Sequence, residues 1–206
     1  MLRAVVVDNG IHGLREHFVN SPAIRYRFER ITADWRPIFE EDVVIVPNGS
    51  DHLALLHARA SIEAVLARGA AVLSFCGCYT PWLPGTIWAH DNTRPNIEVR
   101  YHVINDPLDL MGGVDPARLS TDDHGISGWW ACGALHTARP DSVVLADTWQ
   151  RPVLIADMGA TRGLIIATAS GPLGESDPDA ADDQGVRRLY RNIIRAVARD
   201  RESRHA

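Results

Sequence analysis

Ala70-Ala71-Val72-Leu73-Ser74-Phe75-Cys76-Gly77-Cys78-Tyr79 is the stretch whose reading decides the fold. A short, largely apolar run, Ala70 to Phe75, stops abruptly at Cys-Gly-Cys. With no polar alternation it reads as a strand covered on both faces, as in the interior of a parallel sheet. Just ahead of it, Ile62, Val65 and Leu66 recur at helical spacing. They predict a helix over Ser61 to Arg68, capped by Ser61 and stopped at Gly69. Val43 to Val46 is a second short apolar run, closed by the loop Pro47-Asn48-Gly49-Ser50-Asp51. Val43 to Phe75 therefore reads as one strand–helix–strand unit with a right-handed crossover.

Working outward, Ala4 to Val7 is a first buried strand, ended by the turn Asp8-Asn9-Gly10. Leu14 to Val19 reads as a short helix. Tyr26, Phe28 and Arg30 alternate with charged residues, which predicts a half-buried strand. Thr80 to Pro95 carries Pro81, Pro84, Gly85 and Pro95 and reads as a long loop, whose aromatics argue for function rather than disorder. Val99, Tyr101 and Val103 alternate as a strand. Val143 to Ala146, Val153 to Ala156 and Leu164 to Thr168, joined by short turns, predict antiparallel hairpins. Val186, Leu189, Tyr190, Ile193, Ile194 and Val197 mark an amphipathic closing helix, and 201–206 reads as a frayed tail. Together these give an α/β, flavodoxin-like three-layer fold: a mostly parallel central sheet, helices on both faces and late antiparallel hairpins, as a single domain over 1–206.

Composition narrows the function classes. The chain has 206 residues and a formal net charge of −5. It carries no sustained basic run, which argues against a nucleic-acid partner. Arg187, Arg188, Arg191, Arg195 and Arg199 read as the solvated face of the last helix. No segment reaches the ~20 apolar residues of a membrane span. The apolar start is too short for a signal peptide. Three cysteines without an export signal point to reduced thiols in the cytoplasm.

In open α/β sheets ligands bind beyond the carboxyl ends of the strands, so Cys76 and Cys78 stand where a site belongs. A nucleophilic Cys76 needs a base. His90, His124 and His136 are candidates, with His124 preferred because Asp122 and Asp123 precede it and Gly125 follows. The competing reading is an inert, buried thiol. Cys76, Cys78 and Cys132 with a histidine resemble a zinc set only poorly, since paired zinc cysteines are usually two to four residues apart. His90-Asp91-Asn92 and Asp122-Asp123-His124 are better explained as exposed turns than as metal clusters. No metal and no cofactor is assigned. Trp82, Trp88, Trp129 and Trp130 suit either a ligand or partner surface, or cover for the core under the long loop. Asp8, Asn9, His12, Asn48, Gly49, Ser50, Asp51 and His52 follow the first and third strands, as polar cleft lining or as plain turn chemistry.

The chain resembles the class I glutamine amidotransferase-like superfamily. The likeness is closest to its trehalose-utilisation (ThuA-like) branch and to related amidotransferase-like proteins of unknown role. Val43 to Gly49, Ala70 to Gly85, and Pro152 to Gly171 with the terminal helix carry the resemblance. It implies a nucleophile elbow, Gly-x-Cys-x-Gly, on which Cys76 falls at the cysteine while Ser74 and Cys78 replace both glycines. The family's His-x-Glu after the last strand is missing, since Ala167-Thr168-Ala169-Ser170-Gly171 has no histidine.

The resemblance implies a ThuA-like protein that binds or processes a small polar, carbohydrate-like ligand at the strand ends, and not a working glutaminase. Cys76 and His124 are the expected catalytic pair. Asp8, Asn9, Asn48, Gly49, Cys78, Tyr79, Trp82, Trp88, His90 and Trp129 are the expected ligand contacts. One alternative is a cysteine-dependent hydrolase or transferase using Cys76 with His124 or His136. Another is a non-catalytic interaction module, docking on a second copy or a different partner chain. Whether the chain is an enzyme stays open at this point.

Overall fold

The computed structural model describes every residue except 33, 76, 92, 123, 124, 128, 172, 182 and 206. The central sheet has eight strands. They are β1 (Leu2–Asp8), β2 (Ile24–Arg30), β3 (Val43–Val46), β4 (Ala71–Phe75), β6 (Tyr101–Val103), β10 (Val143–Asp147), β11 (Pro152–Asp157) and β12 (Leu164–Thr168). Their order is β2-β1-β3-β4-β12-β11-β10-β6. The first five are mutually parallel; β11, β10 and β6 add on antiparallel. The expected parallel strands at Val5, Ile45 and Leu73 and the late hairpins are present. β3, β4 and β12 are buried at every residue, as strands covered on both faces must be.

The helices are α1 (His52–His57), α2 (Arg59–Ala67) and α3 (Val186–His205). Tyr26 and Phe75 fall on one face of the sheet by register. Tyr190 of α3 meets both, with a hydroxyl–hydroxyl hydrogen bond of 2.7 Å to Tyr26 and edge-on contact to Phe75. Leu189, Ile193 and Val197 complete the buried stripe of α3. α1 and α2 form the crossover between β3 and β4. Among the described residues, no helix is long and apolar enough to cross a membrane.

Several expectations need correction. Ser61 lies inside α2 and is not a cap; the cap is Asp51, whose carboxylate accepts from Leu53 and Ala54 N–H at the start of α1. The apolar pattern of α2 hid α1, because only Leu55 of α1 is buried. Leu14–His17 is a 3-10 turn. The 80–95 segment is not all loop: Thr86–His90 forms β5, which pairs antiparallel with β9 (Gly133–Thr137). Thr121–Asp122 and Gly125–Ile126 form a small ribbon, β7 and β8. The stretch expected to fray continues α3 through His205.

The α3 arginines are not simply solvated. Arg188 donates to Gly112 O, Arg199 to Leu108 O, and Arg191 to Glu175 and to the carbonyls of Asp177, Pro178 and Ala180. They tie two polar loops to the helix.

Candidate functional site

The parallel strands deliver their carboxyl ends to one edge of the sheet, at Asp8, Val46, Phe75 and Thr168. The turn after β3 is the hub. Asn9 donates to Asn48 O at 2.7 Å, which joins the turns after β1 and β3. Gly49 has a left-handed backbone (φ 79°), and a side chain there would run into Ile11. Ser50 is buried and donates to Pro47 O.

Most acidic and amide groups expected to line a cleft are committed to this turn chemistry. Asp8 accepts from Gly10 N–H and pairs with Arg15. These contacts, the backbone bond first, hold its carboxyl below the ordinary range. Asn9 Oδ1 accepts from Ile11 N–H, and Asp51 caps α1. Next to them stand four aromatic rings, of which Tyr79 and His90 are exposed, His52 is half-buried and Trp88 is buried. His52 lies edge-on to Tyr79 with ring centres 4.7 Å apart. Tyr79 lies edge-on to Trp88 at 4.6 Å, and Trp88 leans on His90 at 5.5 Å. These four rings run from the first residue of α1, across the elbow after β4, onto β5.

The elbow itself needs glycine. Gly77 has φ 71°; a Cβ there would stand 2.9 Å from the Tyr79 ring and 3.6 Å from His52 Nε2. Thr80 donates to His52 O, which fixes the segment after the elbow against α1. Burial pushes the His52 imidazole below its ordinary value, against the opposing pull of Asp51. The neutral ring is therefore favoured, and its Nδ1 is buried and without a hydrogen-bond partner among the described residues. A hollow of about 210 Å³ lies against the turns after β1 and β3, lined by Ile11, Leu14, Phe18, Phe75 and Leu173 together with Asn48.

Cys76 and His124, the expected catalytic pair, lie outside the described residues. Of the other expected contacts, the structure brings Asn9, Asn48, Gly49, Tyr79, Trp88 and His90 to the strand-end region. Cys78 is buried at the elbow, and its carbonyl accepts from Trp88 N–H. The tryptophan rim is overturned for Trp82 and Trp129, each 0% exposed, and for Trp88, 3% exposed. Trp129 is packed on Tyr101, whose hydroxyl donates to Trp129 O and accepts from Ala131 N–H. All three indoles are core cover, because burying so large an apolar surface outweighs any surface role. His136 is exposed on β9, paired with Ile87 of β5. Among the described residues, no cluster of three His, Cys, Asp or Glu is placed to hold a metal.

Sequence reasoning named His52 only as polar lining and missed its place beside Gly77. One available signal was Asp51 followed at once by an apolar turn, which marks a helix start.

No family model and no curated protein matches the chain. A solved structure from Thermoplasma acidophilum, described as that of a "putative GMP synthase" subunit, is similar over 100% of this chain and 98% of its own. The TM-score is 0.61 and the identity 14%, a likeness that speaks to fold alone. The chain thus shares the α/β architecture of this neighbour.

Proposed function

We propose that the carboxyl ends of the parallel strands bind a small polar, carbohydrate-like ligand, in the manner of the ThuA-like branch, and that the chain does not hydrolyse glutamine. The observation that carries this reading is the His52–Tyr79–Trp88–His90 array beside the β3 turn, in which Trp88 is the buried backing of Tyr79 and His90. Aromatic faces stack on the C–H faces of sugar rings, while ring N–H and amide groups meet hydroxyls. Tyr79 is 53% exposed and offers such a face. Gly49 and Gly77 carry no side chain, which lets Ile11 pack against the first and the Tyr79 ring stand over the second. Against glutaminase activity stands the end of β12, where Ala167 to Gly171 supplies no histidine as base.

Calorimetric titration of trehalose into the wild type and Tyr79→Ala tests the binding reading. A saturable heat that the exposed Tyr79→Ala variant loses is expected; no saturable heat, or an unchanged one in the variant, defeats it. Ammonia release from glutamine, abolished by Cys76→Ala, would defeat the negative half.

The alternative, a cysteine-dependent hydrolase or transferase using Cys76, draws support from a histidine other than the expected His124 or His136. His52 Nε2 faces Gly77, the next residue in the chain. Under this reading Cys76 is alkylated by iodoacetamide at neutral pH ahead of Cys78 and Cys132, and His52→Gln slows it. Labelling that follows an ordinary thiol of pKa near ~8.5 in both proteins leaves binding as the function.

A further inference from the structure

A second cavity, of about 320 Å³, lies away from the strand ends, between the edge strand β2, α3 and the loop that carries Glu175. Ile24 and Ile194 are buried in its wall, and Val19 is partly exposed at it. Its inner polar lining is Tyr26, Tyr190 and Glu175, with Ser21 and Arg191 half-buried and Asp179 and Arg195 exposed around them. The two tyrosines share one hydrogen bond, so one O–H of the pair remains to donate. Glu175 is 7% exposed. Its Oε2 takes Arg191 Nε at 2.6 Å. Its Oε1 is buried and, among the described residues, has no hydrogen-bond partner, with the Arg187 guanidinium at 3.4 Å.

These three groups define a complement. An unused hydroxyl hydrogen asks for an acceptor; an unbonded carboxylate oxygen asks for a donor. One group that does both is a hydroxyl. A cation is disfavoured, because two arginines already neutralise Glu175. An anion is disfavoured because it would face Glu175 and Asp179, while Arg191 is taken up by Glu175 and only Arg195 is left at the exposed side. The apolar wall asks for a ring or short hydrocarbon body.

We propose that the β2–α3 cavity is a binding site for a small neutral hydroxylated ring compound of the phenol class. Its hydroxyl accepts from the Tyr26–Tyr190 pair and donates to Glu175 Oε1, and its ring packs against Ile24 and Ile194. Both tyrosines are held as neutral hydroxyls. Burial raises Tyr26 to about 12 and Tyr190 well above its ordinary value, and the Glu175 charge adds to both shifts.

The test is titration of phenol into the full chain, followed by two-dimensional amide NMR, with toluene and benzoate as comparison probes. Phenol should shift the Ile24, Tyr26, Glu175 and Ile194 amides saturably. Toluene and benzoate should bind at least tenfold more weakly. Tyr26→Phe should weaken phenol at least tenfold, with little effect on toluene. Val19→Trp, which fills the mouth from a partly exposed position, should abolish binding with an unchanged thermal midpoint. Absence of phenol shifts at these residues, equal binding of phenol and toluene, or full binding by a folded Val19→Trp would overturn the proposal.

Discussion

Gly133→Ala is the sharpest perturbation of the scaffold that carries the aromatic array. Gly133 opens β9 and pairs with His90 of β5. A Cβ there would lie 2.2 Å from Ala89 O and 2.8 Å from the Trp88 ring. Carbon–oxygen contacts between strands are ordinarily about 3.3–3.6 Å, so the strands must part by about 1 Å or Trp88 must leave its buried seat. Overpacking of this kind costs about 1–3 kcal/mol. With a backbone oxygen as the obstacle, relief is poor, and we expect about 3 kcal/mol. At roughly 2–4 °C per kcal/mol for a chain of this size, the thermal midpoint should fall by roughly 6–12 °C. Gly10→Ala is the matched control. Its φ is 77° with nothing within 4 Å of a Cβ, so only the left-handed backbone penalty of about 1–2 kcal/mol applies. Urea denaturation and near-ultraviolet circular dichroism read both effects. If Gly133→Ala costs no more than Gly10→Ala and leaves the aromatic signal intact, the reasoning is refuted.

Three further outcomes are expected. His52 is held neutral by burial, so the unfolded chain binds the extra proton. Stability therefore falls as pH drops from the unfolded value near ~6.5 through the lower folded one, and His52→Gln should flatten that stretch of a pH–stability curve; an unchanged slope refutes the assignment. Arg151→Met should cost about 2–4 kcal/mol by urea titration, because Asp147 is 0% exposed and loses a guanidinium partner, as does Asp91; a loss below ~1 kcal/mol would make the network merely superficial. Tyr101→Phe strands the Ala131 N–H and should cost about 1–3 kcal/mol, with a neutral result contradicting the Trp129 packing account.

The parallel half of the sheet was legible because β3 and β4 are too short and too apolar to be anything but doubly covered strands. α3 was legible from its periodicity. β5 was not: its partner β9 lies more than forty residues away, and Pro81, Pro84 and Gly85 speak only of local chain. The site was legible in position and not in membership. Asp8, Asn9 and Asp51 look like ligand groups in sequence, but local backbone N–H groups take them up. Trp82 and Trp129 look like a rim, and burial claims them. His52 gains its interest from Gly77 across the fold, a neighbour that no spacing reveals.

The central claim is that the ligand site lies at the carboxyl ends of the parallel strands. An amide NMR map of the wild-type chain titrated with trehalose tests it most directly. The account predicts saturable shifts centred on Asn48, Gly49, Gly77, Tyr79 and His90, with the β2–α3 cavity undisturbed. No shifts at those residues, or shifts confined to Ile24, Tyr26 and Ile194, would contradict it.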